Sequence, residues 1–180
     1  MGQYFQGVAV DLKTLEQRVA QRDPALVERM QAPTVSYSAR LLGAAQTRQA
    51  LDELLAGAIS RELDGDYYAL AVIALAFELG TRTGAPDVTF ADLQRVKGFD
   101  VLYPYADANL WPLGIPRSNF VLGATYDAGR CQEVLGLLQQ AYPREPSAAE
   151  AESSNVAVFA AFRWLRTAVA ADQTLLLCHM

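Results

Sequence analysis

The sequence has 180 residues, 52% of them hydrophobic and 19% charged, a composition typical of one globular domain with a sizeable core. Its formal net charge is −5 and only two of its 15 basic residues are Lys, so it lacks the basic face that nucleic-acid binding requires. No segment approaches the roughly 18 apolar residues of a membrane span, and two Cys residues are too few for a disulfide framework.

The first third of the chain predicts one strand followed by helices. Residues 4–10 read YFQGVAV, and such aromatic and β-branched runs are typical of strands. Asp11 and Asp23 are each in position to cap a helix that follows. Residues 33–39 predict a loop, and residues 40–60 predict one amphipathic helix.

A helix near the middle of the sequence is apolar on every side. Residues 64–84 read DGDYYALAVIALAFELGTRTG, and within the run YYALAVIALAFEL the only charge belongs to Glu78. Asp64 or Asp66 predicts the capped start of this helix, and Gly80, or Gly84 a turn later, predicts a stop in the left-handed conformation. Because a helix without a polar face belongs inside a core, we expect it to be the buried axis of the fold.

The second half begins with a capped turn and a long aromatic loop. Thr89 with Asp92 resembles a capping box and predicts a short helix through Lys97. Residues 98–119 then hold three Pro and four aromatic residues without a helical period. A loop of this length is usually functional, or it must be anchored to stay ordered.

The last elements define the fold class. Residues 119–126 and 173–179 predict two more strands, and residues 127–142 and 148–171 predict amphipathic helices. Three strands against six or seven helices predict an α+β fold, a single helix-rich domain over residues 1–180 with a buried central helix. The first and last strands are expected to pair in a small sheet, because an unpaired apolar edge promotes aggregation.

Both ends of the chain resemble a known family. The opening QYFQGVAVDLKTLEQ and the close FRWLRTAVAADQTLLLC are similar to the YfbM-like bacterial domains of unknown function, and the stretch LYPYADANLWPLG is similar to their loop region. The resemblance covers the termini and carries no catalytic signature. It implies a small α+β cytosolic fold. Members of such families often lie beside secreted toxins as immunity proteins, which is an analogy and not a property of these residues.

The sequence holds little material for catalysis. Its single His, His179, excludes a multi-His metal site. A nucleophilic pair of His179 with Cys131 is an alternative, since the start of a helix near Cys131 would lower the pKa of the thiol. The favoured interpretation is that Cys131 and Cys178 are reduced, buried thiols. We expect no catalytic residue, no metal and no cofactor.

Glu78 is the least expected charge in the sequence. It lies one turn from the end of the apolar helix, and the favoured interpretation is that its side chain reaches solvent there. The alternative is a buried carboxylate paired with Arg163 or Arg166 of the last helix. Such a pair would fix packing rather than perform catalysis.

The aromatic loop is the candidate partner-binding site. Its candidate residues combine aromatic rings with carboxylates and an amide: Asp100, Tyr103, Tyr105, Asp107, Asn109 and Trp111. Tyr and Trp supply large, rigid contact areas in binding hot spots. The alternative is that these rings are inward anchors that pin the loop to the core. The two interpretations differ in whether the rings are exposed.

These features favour a cytoplasmic bacterial protein-binding protein, most simply an immunity protein that neutralises a cognate toxin by occluding it. Residues 61–110 carry eight acidic residues against four basic ones, and a negative surface steers a basic partner. Asp100 and Asp107 are expected to pair with basic residues of the toxin. A membrane or nucleic-acid partner is not expected.

Two other functions stay open at this point. One is a small enzyme or ligand-binding domain with a pocket under residues 98–119, which would need a deep cleft lined by the Asp and Tyr side chains. The other is a structural homodimer that uses an apolar helix face.

Overall fold

The computed structural model describes residues 4–60, 62–98, 111–151 and 155–179. Helices cover both faces of a small antiparallel sheet. In chain order the elements are β1 (Tyr4–Val10), α1 (Leu12–Ala20), α2 (Pro24–Gln31), α3 (Ser36–Leu41), α4 (Ala45–Ala56), α5 (Gly65–Leu79), β2 (Thr81–Arg82), β3 (Val88–Thr89), α6 (Phe90–Leu93), β4 (Leu122–Tyr126), α7 (Ala128–Ala141), α8 (Ala148–Ala151), α9 (Val156–Ala171) and β5 (Thr174–His179).

The first and last strands form the centre of the sheet. β1 and β5 pair antiparallel from Phe5 opposite His179 to Val10 opposite Thr174. The strand order is β2-β1-β5-β4, and β3 pairs with β1 on the same side as β2. The predicted α+β class and the predicted pairing of the chain ends are confirmed.

Both faces of the sheet are buried. Side chains alternate between the faces of a strand, so neighbouring residues pack into different layers. Val8 and Leu176 pack against the layer that contains α5, whereas Ala9 and Leu177 pack against the layer of α7 and α9. This explains why β1 and β5 are mostly apolar instead of alternating regularly with polar residues.

The helix α5 is buried at ten of its 15 residues, which confirms the predicted central helix. The Asp64 side chain accepts the backbone N–H of Asp66 at 3.1 Å and caps its start, as predicted. The expected left-handed stop at Gly80 is wrong, because Gly80 has φ −88° and an extended backbone. Gly is needed there for space, since a Cβ atom would lie 2.5 Å from the carbonyl oxygen of Ala9.

The region between β1 and α5 differs from the sequence prediction. A helix, α3, occupies residues expected to be loop, and α4 begins only at Ala45. The hydroxyl of Ser38 on α3 is buried and donates to the Ala74 carbonyl of α5 at 3.1 Å. A buried Ser breaks the apolar period on which helix prediction relies.

No helix within the described ranges is long and apolar enough to cross a membrane.

Candidate functional site

Most of the predicted partner-binding residues lie outside the described part of the chain. These residues are Asp100, Tyr103, Tyr105, Asp107 and Asn109.

Trp111, the remaining predicted contact, is an anchor. Its side chain is only 9% exposed, and it packs with the layer of α5. A Cβ atom at Gly123 would lie 2.6 Å from the indole ring, so the Gly in β4 makes the room that the ring occupies. Trp111 therefore faces the core and does not offer its ring to a partner, which corrects its assignment as a contact residue.

Asp66 fixes the chain just after the aromatic loop. Its Oδ1 atom accepts the backbone N–H of Asn119 and of Phe120, each at 2.9 Å, and that of Val121 at 3.3 Å. The same oxygen accepts the hydroxyl of Ser118. A carboxylate expected to serve the local helix turn thus binds a segment more than fifty residues away in sequence.

The neighbouring Gly65 allows this approach. A Cβ atom there would lie 2.1 Å from the carbonyl oxygen of Arg117, so only Gly fits. Burial acts to raise the pKa of the Asp66 carboxyl, but the hydrogen bonds from residues 118–121 outweigh it and the pKa is lowered. The group is therefore ionised at neutral pH, and the hydrogen bonds it accepts are charge-assisted.

Phe120 is an exposed aromatic residue in the segment that Asp66 holds. It is 74% exposed, against 48% for Leu137 and 42% for Tyr4, the other large hydrophobic residues exposed in the described ranges. Sequence reasoning missed it because residues 119–126 were assigned to a strand, whereas β4 begins at Leu122. The missed signal was an aromatic residue directly after the polar pair Ser118-Asn119.

The surface around Phe120 carries mixed charge. Glu62 and Asp64 are exposed on the chain that leads into α5, and Arg117 and Asn119 are exposed beside the ring in sequence. The contact of Gly65 with Arg117 brings these two segments together. The site therefore combines one projecting aromatic ring with a polar rim, the arrangement found in protein interfaces. We call the exposed group Glu62, Asp64, Arg117, Asn119 and Phe120 the Phe120 surface.

Glu78 is buried and fully hydrogen-bonded. It is 4% exposed, and its Oε1 atom accepts Arg29 Nε at 3.1 Å, Thr34 N at 2.9 Å and Thr34 Oγ1 at 2.6 Å. Its Oε2 atom accepts Val35 N at 3.0 Å. Burial acts to raise the pKa of this carboxyl, but the hydrogen bonds of Thr34, Val35 and Arg29 outweigh it and lower the pKa.

This geometry corrects the expectation for Glu78. The side chain does not reach solvent, and its cationic partner is Arg29 of α2, not Arg163 or Arg166 of α9. The carboxylate joins the end of α5 to the segment between α2 and α3. With all of its contacts directed at backbone and side-chain donors of the fold, Glu78 serves packing.

Cys131 is not an activated nucleophile. Its Sγ atom is buried and lies 3.5 Å from the carbonyl oxygen of Tyr126, to which the thiol donates. Burial raises the pKa of the Cys131 thiol to about 11, so the expected lowering at a helix start does not occur.

His179 is held between aromatic rings. Its imidazole stacks on Phe5 with ring centroids 4.3 Å apart, and Phe90 lies 5.9 Å away on a tilted plane. Neither ring nitrogen has a hydrogen-bond partner among the described residues, and burial lowers the pKa of His179. The imidazole is therefore neutral at physiological pH and serves as part of the core. In the part of the chain that the structure describes, no cluster of His, Cys, Asp or Glu could hold a metal ion.

A cleft of about 530 Å³ lies beside the end of the aromatic loop. Leu113 and Gly114 line it together with residues of α1 and α4, and Glu16 is the one charged residue on its described walls. A ligand site usually has several convergent polar groups on apolar walls. The described walls supply only Glu16, and the Asp and Tyr residues expected to line such a pocket lie outside the described residues.

Comparisons with protein-family models, with curated proteins and with solved structures found no match for this chain. The similarity to YfbM-like domains therefore stays a prediction. The fold and the site therefore define only a class. The chain is an α+β domain that exposes the ring of Phe120 on a backbone segment held by the Asp66 carboxylate of α5.

Proposed function

We propose that the chain is a protein-binding protein, and specifically an immunity protein that neutralises a cognate toxin by covering it with the Phe120 surface. The observation that carries the proposal is the 74% exposure of Phe120 on a backbone held by Asp66. Burial of this ring against a partner would remove apolar surface from water, which favours association.

The hydrogen bonds of Asp66 to residues 118–121 make the Phe120 ring suited to binding. Association loses free energy wherever a loop must be ordered at the interface. Because the Asp66 carboxylate fixes the backbone of residues 118–121 beforehand, that cost is reduced. Buried aromatic anchors of this kind dominate binding energy in interfaces that have been scanned by alanine substitution.

The charges of the chain favour a basic partner. Its net charge is −5, and Glu62 and Asp64 are exposed within the Phe120 surface. Asp100 and Asp107, which lie outside the described residues, belong to the loop that precedes Phe120 and are proposed as further acidic contacts. Complementary charge speeds association and fixes its orientation more than it adds affinity.

Four titratable groups with structural roles favour binding over catalysis. Glu78 and Asp66 are used by hydrogen bonds of the fold, and burial raises the pKa of Cys131 to about 11. The neutral His179 is stacked in the core. Each of these groups has a structural role that accounts for its position.

The test is co-expression of this chain with the product of the adjacent gene. The expected result is a stable complex and protection of the host from that product. Phe120→Ala is expected to weaken the complex by at least about thirtyfold, the effect of losing an interface hot spot. Titration calorimetry on the purified partners measures the affinity.

The matched control is Leu137→Ala, which removes another exposed apolar side chain from α7. Neither substitution touches the core, so both variants are expected to stay folded. A complex that Phe120→Ala and Leu137→Ala weaken equally would contradict the role of the Phe120 surface. Failure of the neighbouring product to bind or to be neutralised would contradict the immunity function.

A further inference from the structure

We propose that a cleft between β2 and α9 binds a phosphate group. The cleft has a volume of about 460 Å³ and lies at the edge of the sheet. Three Arg side chains line it: Arg82, Arg163 and Arg166. Arg is the residue best shaped to bind phosphate, since its planar fork donates two parallel hydrogen bonds.

Arg163 is positioned by the fold. Its Nε atom donates to the carbonyl oxygen of Thr83 at 3.2 Å. The Thr83 hydroxyl in turn donates to the Gly7 carbonyl of β1 at 3.1 Å. This hydrogen bond fixes Thr83 to the central strand of the sheet. This holds the Arg163 guanidinium at the wall of the cleft.

Gly84 makes room for this arrangement. It has φ +64°, a conformation that other residues rarely adopt, and a Cβ atom there would lie 3.0 Å from Nη2 of Arg163. The backbone of Gly84 therefore accommodates the guanidinium in a way that a side chain would obstruct.

Arg166 is also oriented, and its charge is balanced. Its Nη1 atom lies 2.5 Å from Oε2 of Glu145, and its guanidinium lies 5.5 Å from the ring of Phe162. Arg82 is exposed on β2 and forms no ion pair with the described residues. Three guanidinium groups and one carboxylate leave a net charge of +2 at the cleft, which matches the two negative charges of a phosphate monoester.

The cleft differs from the rest of the molecule in its charge and is distant from the Phe120 surface. The chain has a net charge of −5, so a local charge of +2 does not follow from composition. The cleft is at the β2 edge of the sheet, whereas Phe120 precedes β4 at the opposite edge. The inference is therefore independent of the proposed immunity function, and either can fail alone.

Titration calorimetry on the full chain tests the inference, with sodium phosphate and ribose 5-phosphate as separate probes at constant ionic strength. Saturable binding is expected, and Arg82→Ala is expected to weaken it by about tenfold or more, the effect of losing a charge-assisted hydrogen bond. Tighter binding of ribose 5-phosphate identifies an organic phosphate as the ligand, and equal binding identifies free phosphate.

The control is Arg117→Ala, which removes an exposed Arg from the segment before β4, the strand at the opposite edge of the sheet, and changes the net charge equally. It is expected to leave the affinity unchanged. An absence of saturable binding to both probes at millimolar concentration would overturn the inference. Equal weakening by Arg82→Ala and Arg117→Ala would overturn it as well, because it would show a general charge effect.

Discussion

The Asp66 carboxylate accepts the backbone N–H of Phe120 at 2.9 Å, so a residue in the first turn of the central helix holds the most exposed aromatic side chain of the described structure. One oxygen of the Asp66 carboxylate thereby connects the buried helix α5 to the exposed segment that carries Phe120. We expect the order of the Phe120 surface to depend on this contact.

The substitution Asp66→Ala is expected to release the backbone of residues 119–121. Hydrogen exchange of the Asn119 and Phe120 amides should rise by at least about tenfold, because these N–H groups lose a charged acceptor. The Val121 N–H also donates to Ser118 Oγ at 3.0 Å, so its exchange should rise less. Mass spectrometry or NMR measures this exchange. The same variant should weaken partner binding although Phe120 itself is intact, since the ring is no longer held in place.

Asp64→Ala is the control for the hydrogen-exchange part of this prediction. It removes the carboxylate that caps α5 but leaves the hydrogen bonds of Asp66 to residues 118–121 in place. Exchange at residues 119–121 should then stay close to that of the unsubstituted chain. Unchanged protection in Asp66→Ala would show that these amides are held by something else.

Glu78 predicts a component of stability that is lost in acid. The pKa of its carboxyl is lowered in the folded state from an ordinary value of 4.5. Between these two pKa values the unfolded chain binds the proton and the folded chain does not. The contribution is therefore fully present above pH 4.5 and is lost as the pH falls through the lower, folded-state pKa.

The substitution Glu78→Gln is expected to destabilise the fold at pH 7 by about 3 kcal/mol, because Arg29 loses its buried counter-ion and the amide cannot accept all four hydrogen bonds. This difference should shrink below pH 4.5. Urea unfolding across a pH series measures both effects.

The control is Glu28→Gln, at an exposed position of α2, which should change the free energy of unfolding little at any pH. A difference between Glu78→Gln and the parent that is the same at every pH would contradict the assignment.

His179 predicts a second, separate acid-sensitive component. Burial lowers the pKa of its imidazole below the ordinary value of 6.5, so the unfolded chain takes up a proton before the folded chain does. Stability should fall as the pH drops from 6.5 toward the folded-state pKa. His179→Phe keeps an aromatic ring against Phe5 and removes the titration, so it should gain stability over the parent at pH 5 relative to pH 8. Thermal melts at the two pH values measure this, and a gain that does not depend on pH would exclude the titration as its cause.

Local patterns were enough to predict much of the fold. The apolar run of α5 and the Asp caps at Asp11, Asp23 and Asp64 depend on residues within one helical turn, and the structure confirms them. Pairing of the chain ends followed from their apolar character. Each of these features is decided by short-range sequence or by simple burial.

The candidate site could not be predicted in the same way. Asp66 binds residues 118–121, and Glu78 binds Arg29, across 49 or more residues in sequence. Such partners are chosen by the tertiary packing, which no local period reveals. The two-residue strands β2 and β3 were missed because they are too short to show alternation, although β2 carries Arg82 of the phosphate cleft.

Gly7 and Gly136 give opposite predictions for the same substitution. Gly7 lies at the centre of the sheet, where a Cβ atom would be 2.6 Å from the ring of Trp164. Trp164 is 1% exposed in a close-packed core and has no room to move. Gly7→Ala is therefore expected to destabilise the fold by about 1–3 kcal/mol through overpacking.

Gly136 is in the helix α7, and a Cβ atom there would meet no other atom within 4 Å. Gly136→Ala is expected to stabilise the fold by about 1 kcal/mol, because Ala loses less backbone entropy than Gly in a helix. Urea unfolding of the two variants measures both changes, and similar m-values would show that the unfolded states are comparable. If Gly7→Ala proved neutral, the close contact of β1 with Trp164, and with it the packing of α9 on this face of the sheet, would have to be revised.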